Sequence, residues 1–163
     1  KKAIHLFKGD LASVSLKNII IRDVQKKDPQ TTTSPNPIGK DAAKAAQIAA
    51  DHARSNVPPF FRNVARNARW VGIGGVLALS VQKQVRTQVK THESRFTRKE
   101  LKRTLEQRAT LTDQSIGGDF ASTEISNLAL VLGYMTALGI RGVETTEASL
   151  AQGWLLSDMN ADH

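Results

Sequence analysis

Apolar residues between Ser122 and Leu138 recur at Ile125, Leu128, Ala129, Val131, Leu132, Met135 and Leu138, the 3.6-residue period of a helix, and Gly139 closes the run. A segment so apolar belongs in the core. Residues 41–56 carry Ala at 42, 43, 45, 46, 49, 50 and 53, the composition with the best intrinsic helix propensity. Their small side chains permit close helix approach, Lys40, Lys44 and Arg54 keep the opposite face wet, and Pro58-Pro59 ends the element.

The sharpest local signal is Phe96-Thr97-Arg98-Lys99-Glu100-Leu101. Thr97 stands at an N-cap, Glu100 three residues on completes a capping box, and Phe96 with Leu101 forms a hydrophobic staple. A surface helix from 98 to about 110 follows, with the thin apolar stripe Leu101, Leu105 and Ala109. From Phe60 to His92 no proline interrupts, which predicts one long helix or two helices meeting near Gly72, Gly74 and Gly75. After a Gly139–Gly142 turn, residues 146–157 predict a last short helix with Leu150, Trp154 and Leu155 facing inward.

The N-terminal region reads differently. Residues 3–24 combine β-branched residues, partial alternation and a Gly9-Asp10 break, predicting two short strands. Residues 28–39 hold three of the five prolines and a Thr/Ser run without apolar periodicity, the pattern of a linker. The expected fold class is mainly α, a helical bundle or elongated helical subunit with a short N-terminal β-hairpin or β-arm. Its expected organisation is a β-arm over 1–27, a Pro/Thr-rich linker over 28–39 and a helical domain over 40–163, basic over 40–110 and acidic over 111–163.

Composition narrows this further. At 163 residues one substantial core is expected, and aromatics at 5% leave its filling to Leu, Ile, Val and Ala. Charge is segregated: residues 1–110 hold 22 Lys and Arg against 8 Asp and Glu, while residues 111–163 hold 1 against 7. Such a basic stretch favours nucleic acid, anionic lipid or an acidic protein surface. Within 54–108 the balance is 13 cations to 3 Glu. The candidate anion or nucleic-acid contacts there are Arg62, Arg66, Arg69, Lys83, Arg86, Lys90, Arg98, Lys99, Lys102 and Arg103. Contact with backbone phosphates, salt-sensitive and weakly sequence-specific, is the expectation, because few aromatics are available for base stacking. A helix-turn-helix over 122–157 fails on charge, since Glu144 and Glu147 open its second helix and no cation follows residue 142.

Trp70 to Val81 is uncharged and flanked by cations, and its 12 residues fall short of a bilayer span. A core helix with basic ends is the preferred reading, with Trp70, Gly72, Gly74, Gly75, Leu77 and Leu79 as candidate helix-packing or membrane-contacting residues.

Enzymatic chemistry has no candidate. There is no Cys, the four His are scattered, no Ser sits in a nucleophile elbow, and Val71-Gly72-Ile73-Gly74-Gly75 lacks the dinucleotide-binding pattern. No cofactor or metal is expected. One weak exception is Asp113 to Glu124, which resembles an EF-hand loop through Asp113, Ser115, Asp119 and Glu124 but places Gly117 at the fifth position. The chain opens on Lys1, so an upstream segment removed or omitted is expected.

The function expected from these patterns is a non-enzymatic structural or interaction subunit of a larger assembly, a nucleoprotein particle or virion component whose basic region meets an anionic partner. The alternative is a peripheral or partly inserted subunit of a membrane complex using 70–81, and the third is a degenerate EF-hand-like regulatory module. Partners would be protein subunits of an oligomeric or multi-subunit assembly, with nucleic acid and a membrane surface as the candidate anionic contacts. Localisation stays open between virion and membrane-associated complex.

Overall fold

The computed structural model of the chain describes residues 7–90 and 93–146. The expected helix over 146–157, the start of the N-terminal arm and three of the histidines (His5, His92 and His163) lie outside the described residues, apart from Thr146 itself. The protein is mainly helical, with a small three-stranded sheet.

In chain order the elements are α1 (Ser13–Ile19), which runs on as a π-helical turn Ile20–Val24; α2 (Ala42–Asn56), entered through a 3₁₀ turn; and α3 (Pro59–Ala65). Then come β1 (Val71–Gly72), a π-helical segment Gly75–Val81 continuous with α4 (Gln82–Val89), β2 (Arg95–Thr97) and α5 (Arg98–Arg108). The short α6 (Asp113–Ile116), α7 (Ala121–Ala137) and β3 (Gly142–Thr145) complete the fold.

Helix α7 is the centre. Every residue from Ile125 to Gly133 is buried, so neighbours surround it, with α2, α5, α1, α6 and the π-helical segment all packing on it. The α2 partner face is the stripe Ala42, Ala45, Ala49 and Ala53 at i, i+3 and i+4 spacing. Close approach is enforced at Gly133, where a Cβ would lie 2.5 Å from both the Ala46 carbonyl oxygen and the Ala49 methyl. The helix ends in a Schellman arrangement, with the Ile140 N–H donating to the Met135 carbonyl at 2.9 Å and Gly139 left-handed at φ 69°.

The strands expected over residues 3–24 are not found in the described part: residues 13–24 are helical. Leu16, Ile20 and Ile21 are completely buried at i, i+4 and i+5, a helical stripe that α1 lays on α7. The β-branched run Ile19-Ile20-Ile21 favours strand locally, and tertiary burial overrides it.

The Pro/Thr segment expected as a linker is strapped to the body. Ser34 Oγ and Asn36 Nδ2 each donate to Asp113 at 2.8 Å, Asn36 Nδ2 also reaches the Ala121 carbonyl at 3.0 Å, and Gln25 Nε2 reaches the Pro35 carbonyl at 2.7 Å. Ile38 is buried and the Gly39 N–H donates to the Ala109 carbonyl at 2.7 Å. A segment so held is a fixed part of the surface around α5, α6 and α7.

Between Phe60 and Lys90 there are two helices with a strand between them. Gly74 at φ 77° carries a turn that a continuous helix cannot contain, and Lys90 in the left-handed region ends α4. In the sheet, ordered β1-β3-β2, β1 pairs parallel and β2 antiparallel with the central β3. Phe96 and Val143 point inward from it.

Candidate anion-binding surface

Helix α5 begins as its residues dictate. The Glu100 N–H donates to Thr97 Oγ1 at 3.2 Å, and the Glu100 carboxylate turns back to accept from the Thr97 N–H at 2.7 Å and the Thr97 hydroxyl at 2.8 Å. The one acidic residue in the first turn is thereby committed to the cap. Antiparallel pairing sets Thr97 opposite Gly142, and the Arg98 N–H donates to the Arg141 carbonyl at 2.9 Å, which seats Arg141 beside the start of α5.

The result is a surface recess of about 520 Å³ lined by Thr97, Arg98, Lys99, Lys102, Leu132, Thr136 and Arg141. Four cations and no carboxylate line it. Lys102 has Glu106 at 3.8 Å one turn along, with both groups exposed, so that pairing is weak. Among the described residues no carboxylate lies within ion-pairing distance of Arg98, Lys99 or Arg141. Planar guanidinium donors, which can pair with phosphate in bidentate fashion, next to ammonium groups on long stems suit phosphate oxygens.

The structure therefore unites three of the ten sequence candidates, Arg98, Lys99 and Lys102, and leaves the others elsewhere. Arg103 shares their helix and is exposed, but does not line the recess. Lys83, Arg86 and Lys90 belong to α4 or its end. Arg62 donates to the Arg54 carbonyl at 3.1 Å, and the Arg66 stem lies over Gly139. Arg69 is paired with Glu144 at 2.6 Å, a contact that raises the guanidinium pKa and holds the Glu144 carboxyl below its ordinary value, chiefly through the hydrogen bond. Arg141 was not among the candidates. Its signal was present as the single cation among residues 111–163.

The packing candidates of 70–81 divide. The Trp70 indole N–H donates to the Ala65 carbonyl at 2.8 Å, and a Cβ on Gly72 would press on Leu77 and Val143 at 3.0–3.1 Å, so both residues pack. Gly74 and Gly75 have open space where a Cβ would stand, so they make no close helix contact; Gly74 is needed for its positive φ. Leu77 is half-buried and Leu79 is 60% exposed. Among the described residues no helix is long and apolar enough to cross a membrane.

The four weak metal candidates are not gathered as an EF-hand would gather them. Asp113 begins α6 and accepts from Ser34 and Asn36, Ser115 shares a hydrogen bond with Thr112, and Glu124 faces Arg108 at 3.8 Å. Residues 113–116 are helical where an EF-hand loop would curl its first ligands around calcium. Among the described residues no group of three or more His, Cys, Asp or Glu could hold a metal ion.

A second concavity, apolar and about 480 Å³ in volume, lies along α7, between Leu130, Val131 and Tyr134 on one wall, residues 70–73 with Val76 and Leu77 on another, and Phe7 and Leu11 of the N-terminal segment on a third. Comparison with protein-family models, with curated proteins and with solved structures finds no match.

Proposed function

We propose that this chain is a non-enzymatic structural subunit of a larger assembly, a nucleoprotein particle or virion component, and that the recess at the start of α5 holds the phosphate backbone of a nucleic acid. One observation carries the reading: Arg98, Lys99, Lys102 and Arg141 converge on a single recess that no carboxylate lines. The recess has no stacking aromatic and no base-reading helix, so recognition is of charge and spacing, with little sequence preference. Phe120, 76% exposed at the tip between α6 and α7, suits a contact with a protein neighbour.

The test is filter binding of single-stranded RNA and of duplex DNA over a salt series. Binding of the parent protein should fall steeply with salt. Replacing the four cations with Gln should flatten the slope of log affinity against log salt by about 0.7 per lost phosphate contact on single strands and about 0.9 on duplex. An unchanged slope rejects the recess as the site. A peripheral membrane role is favoured by the exposure of Ile73 (36%) and Leu79 (60%) in the uncharged stretch. Liposome flotation that persists at high salt would favour that role instead.

A further inference from the structure

The recess at the start of α5 gathers more donors than an internal phosphodiester can use. Two guanidinium and two ammonium side chains line it, Arg98, Arg141, Lys99 and Lys102, and Thr136 adds a hydroxyl. Arg98 reaches the Met135 carbonyl with Nη1 at 3.5 Å, a long contact that leaves the rest of its fork free. Two carboxylates stand near without lining the recess: Glu100, folded into the cap, and Glu106, 3.8 Å from Lys102. Even with both set at full charge against the four cations, two positive charges remain unanswered.

An internal phosphodiester brings a single negative charge and two free oxygens, and a sugar separates it from the next. A terminal phosphate monoester brings about −1.5 to −2 charge at pH 7 and three acceptor oxygens on one phosphorus. The monoester therefore matches the residual charge at one point and supplies oxygens for both guanidinium forks together with the ammonium groups. The volume of about 520 Å³ admits that group and the sugar behind it, with Leu132 as an apolar wall for the sugar carbons. Resting on the nucleic-acid reading above, we infer that the recess takes the phosphorylated end of a strand, the remainder of which runs out over the surface. The number of chains held this way then follows the number of strand ends and not strand length.

Fluorescence anisotropy tests this, with a short labelled oligothymidylate carrying a terminal phosphate displaced by unlabelled oligomers of the same length. The competitors end in a 5′-phosphate, a 3′-phosphate or hydroxyls only. A phosphorylated form should bind several-fold tighter than the hydroxyl form, with a salt slope steeper by about 0.7 for one added contact. Lys99→Gln and Arg141→Gln, at exposed positions that leave the body folded, should abolish that preference. Arg103→Gln, exposed on the same helix but outside the recess, should keep it. Equal affinity of all three competitors, weakened alike by Lys99→Gln and Arg141→Gln, overturns end recognition and leaves the backbone reading standing. No anisotropy change when the parent protein meets the labelled oligomer removes the nucleic-acid reading and the end preference with it. Displacement by a phosphothreonine peptide as effective as by the phosphorylated oligomer would assign the recess to a phosphoprotein and overturn recognition of strand ends.

Discussion

Gly133 is the position at which local propensity and packing make opposite predictions. In mid-helix, replacing Gly by Ala gains about 1 kcal/mol of propensity, so local reasoning expects Gly133→Ala to stabilise. The structure predicts the reverse. The new methyl would lie 2.5 Å from the Ala46 carbonyl oxygen and the Ala49 Cβ and 2.7 Å from the Ala50 nitrogen, where non-bonded atoms need about 3.5 Å or more. Two of those three atoms are backbone, so rotamer change offers no relief and the α2–α7 crossing itself must widen. Overpacking in a dense core costs roughly 1–3 kcal/mol, and backbone opposition puts this site at the top of that range. Less the propensity gain, the net loss is about 2 kcal/mol, or a fall in Tm of roughly 4–8 °C for a chain of this size. Thermal unfolding followed by circular dichroism measures it, with urea titration as a check. Adding Ala49→Gly removes one of the three clashes and should show a favourable coupling on the order of 1 kcal/mol. An unchanged or higher Tm for Gly133→Ala would refute the close crossing.

The remaining predictions concern the cap, the strap and one ion pair. Thr97→Ala should cost about 1 kcal/mol in stability through loss of the α5 cap, read by urea denaturation, while Thr97→Ser should retain most of it. Asp113→Ala removes the acceptor shared by Ser34 and Asn36 and should cost roughly 1–3 kcal/mol in stability, with faster hydrogen exchange confined to residues 28–39 and the turn into α6; exchange that stays unchanged there would count against the strap. Glu144, with its pKa depressed by Arg69, contributes stability that is present above its ordinary value of 4.5 and is lost as pH falls through the lower folded value. The Tm difference between parent and Arg69→Gln should therefore narrow in acid, and a difference that grows in acid would contradict the pairing. If the proposed recess binds nucleic acid only in the folded chain, an oligomer at 100 times its Kd should add about 2.7 kcal/mol and raise Tm measurably, an effect lost in the four-cation variant.

Much of the helical fold was legible because long elements advertise themselves. The periodic run of α7, the alanine stripe of α2 and the Thr97/Glu100 capping box each repeat a pattern over enough residues to fix an element and, for α7, its burial. The illegible parts fall into two kinds. The strands have two to four residues, too few to display alternation, and they exist because α5 and α7 deliver their ends side by side. The N-terminal helix and the strap depend on partners far along the chain: α1 on α7, and Asn36 on Asp113, 77 residues away. Local β-branched content and local proline count therefore misdescribed both.

The site was half legible for an electrostatic reason. A sequence shows how many cations a stretch contains and not which of them the fold has already consumed. Arg22 is taken by Asp23, Arg54 by Asp51, Arg69 by Glu144, and Arg108 by Gln84 and Glu124. Each pairing subtracts a charge from the basic field without altering the composition from which that field was inferred. At the start of α5 the subtraction fails, because Glu100, the nearest acid in the first turn, is held in the cap by Thr97. The pairing of β2 with β3 then brings a fourth cation, Arg141, out of the acidic end of the sequence to the same recess. Like charges gathered with only the weak, exposed Lys102–Glu106 pairing to offset them oppose folding, and neither the cap nor the sheet requires these four side chains to be basic. An anion supplied from outside the chain would relieve that repulsion, which is why the recess, rather than the basic stretch as a whole, is the site proposed for contact with an anionic partner.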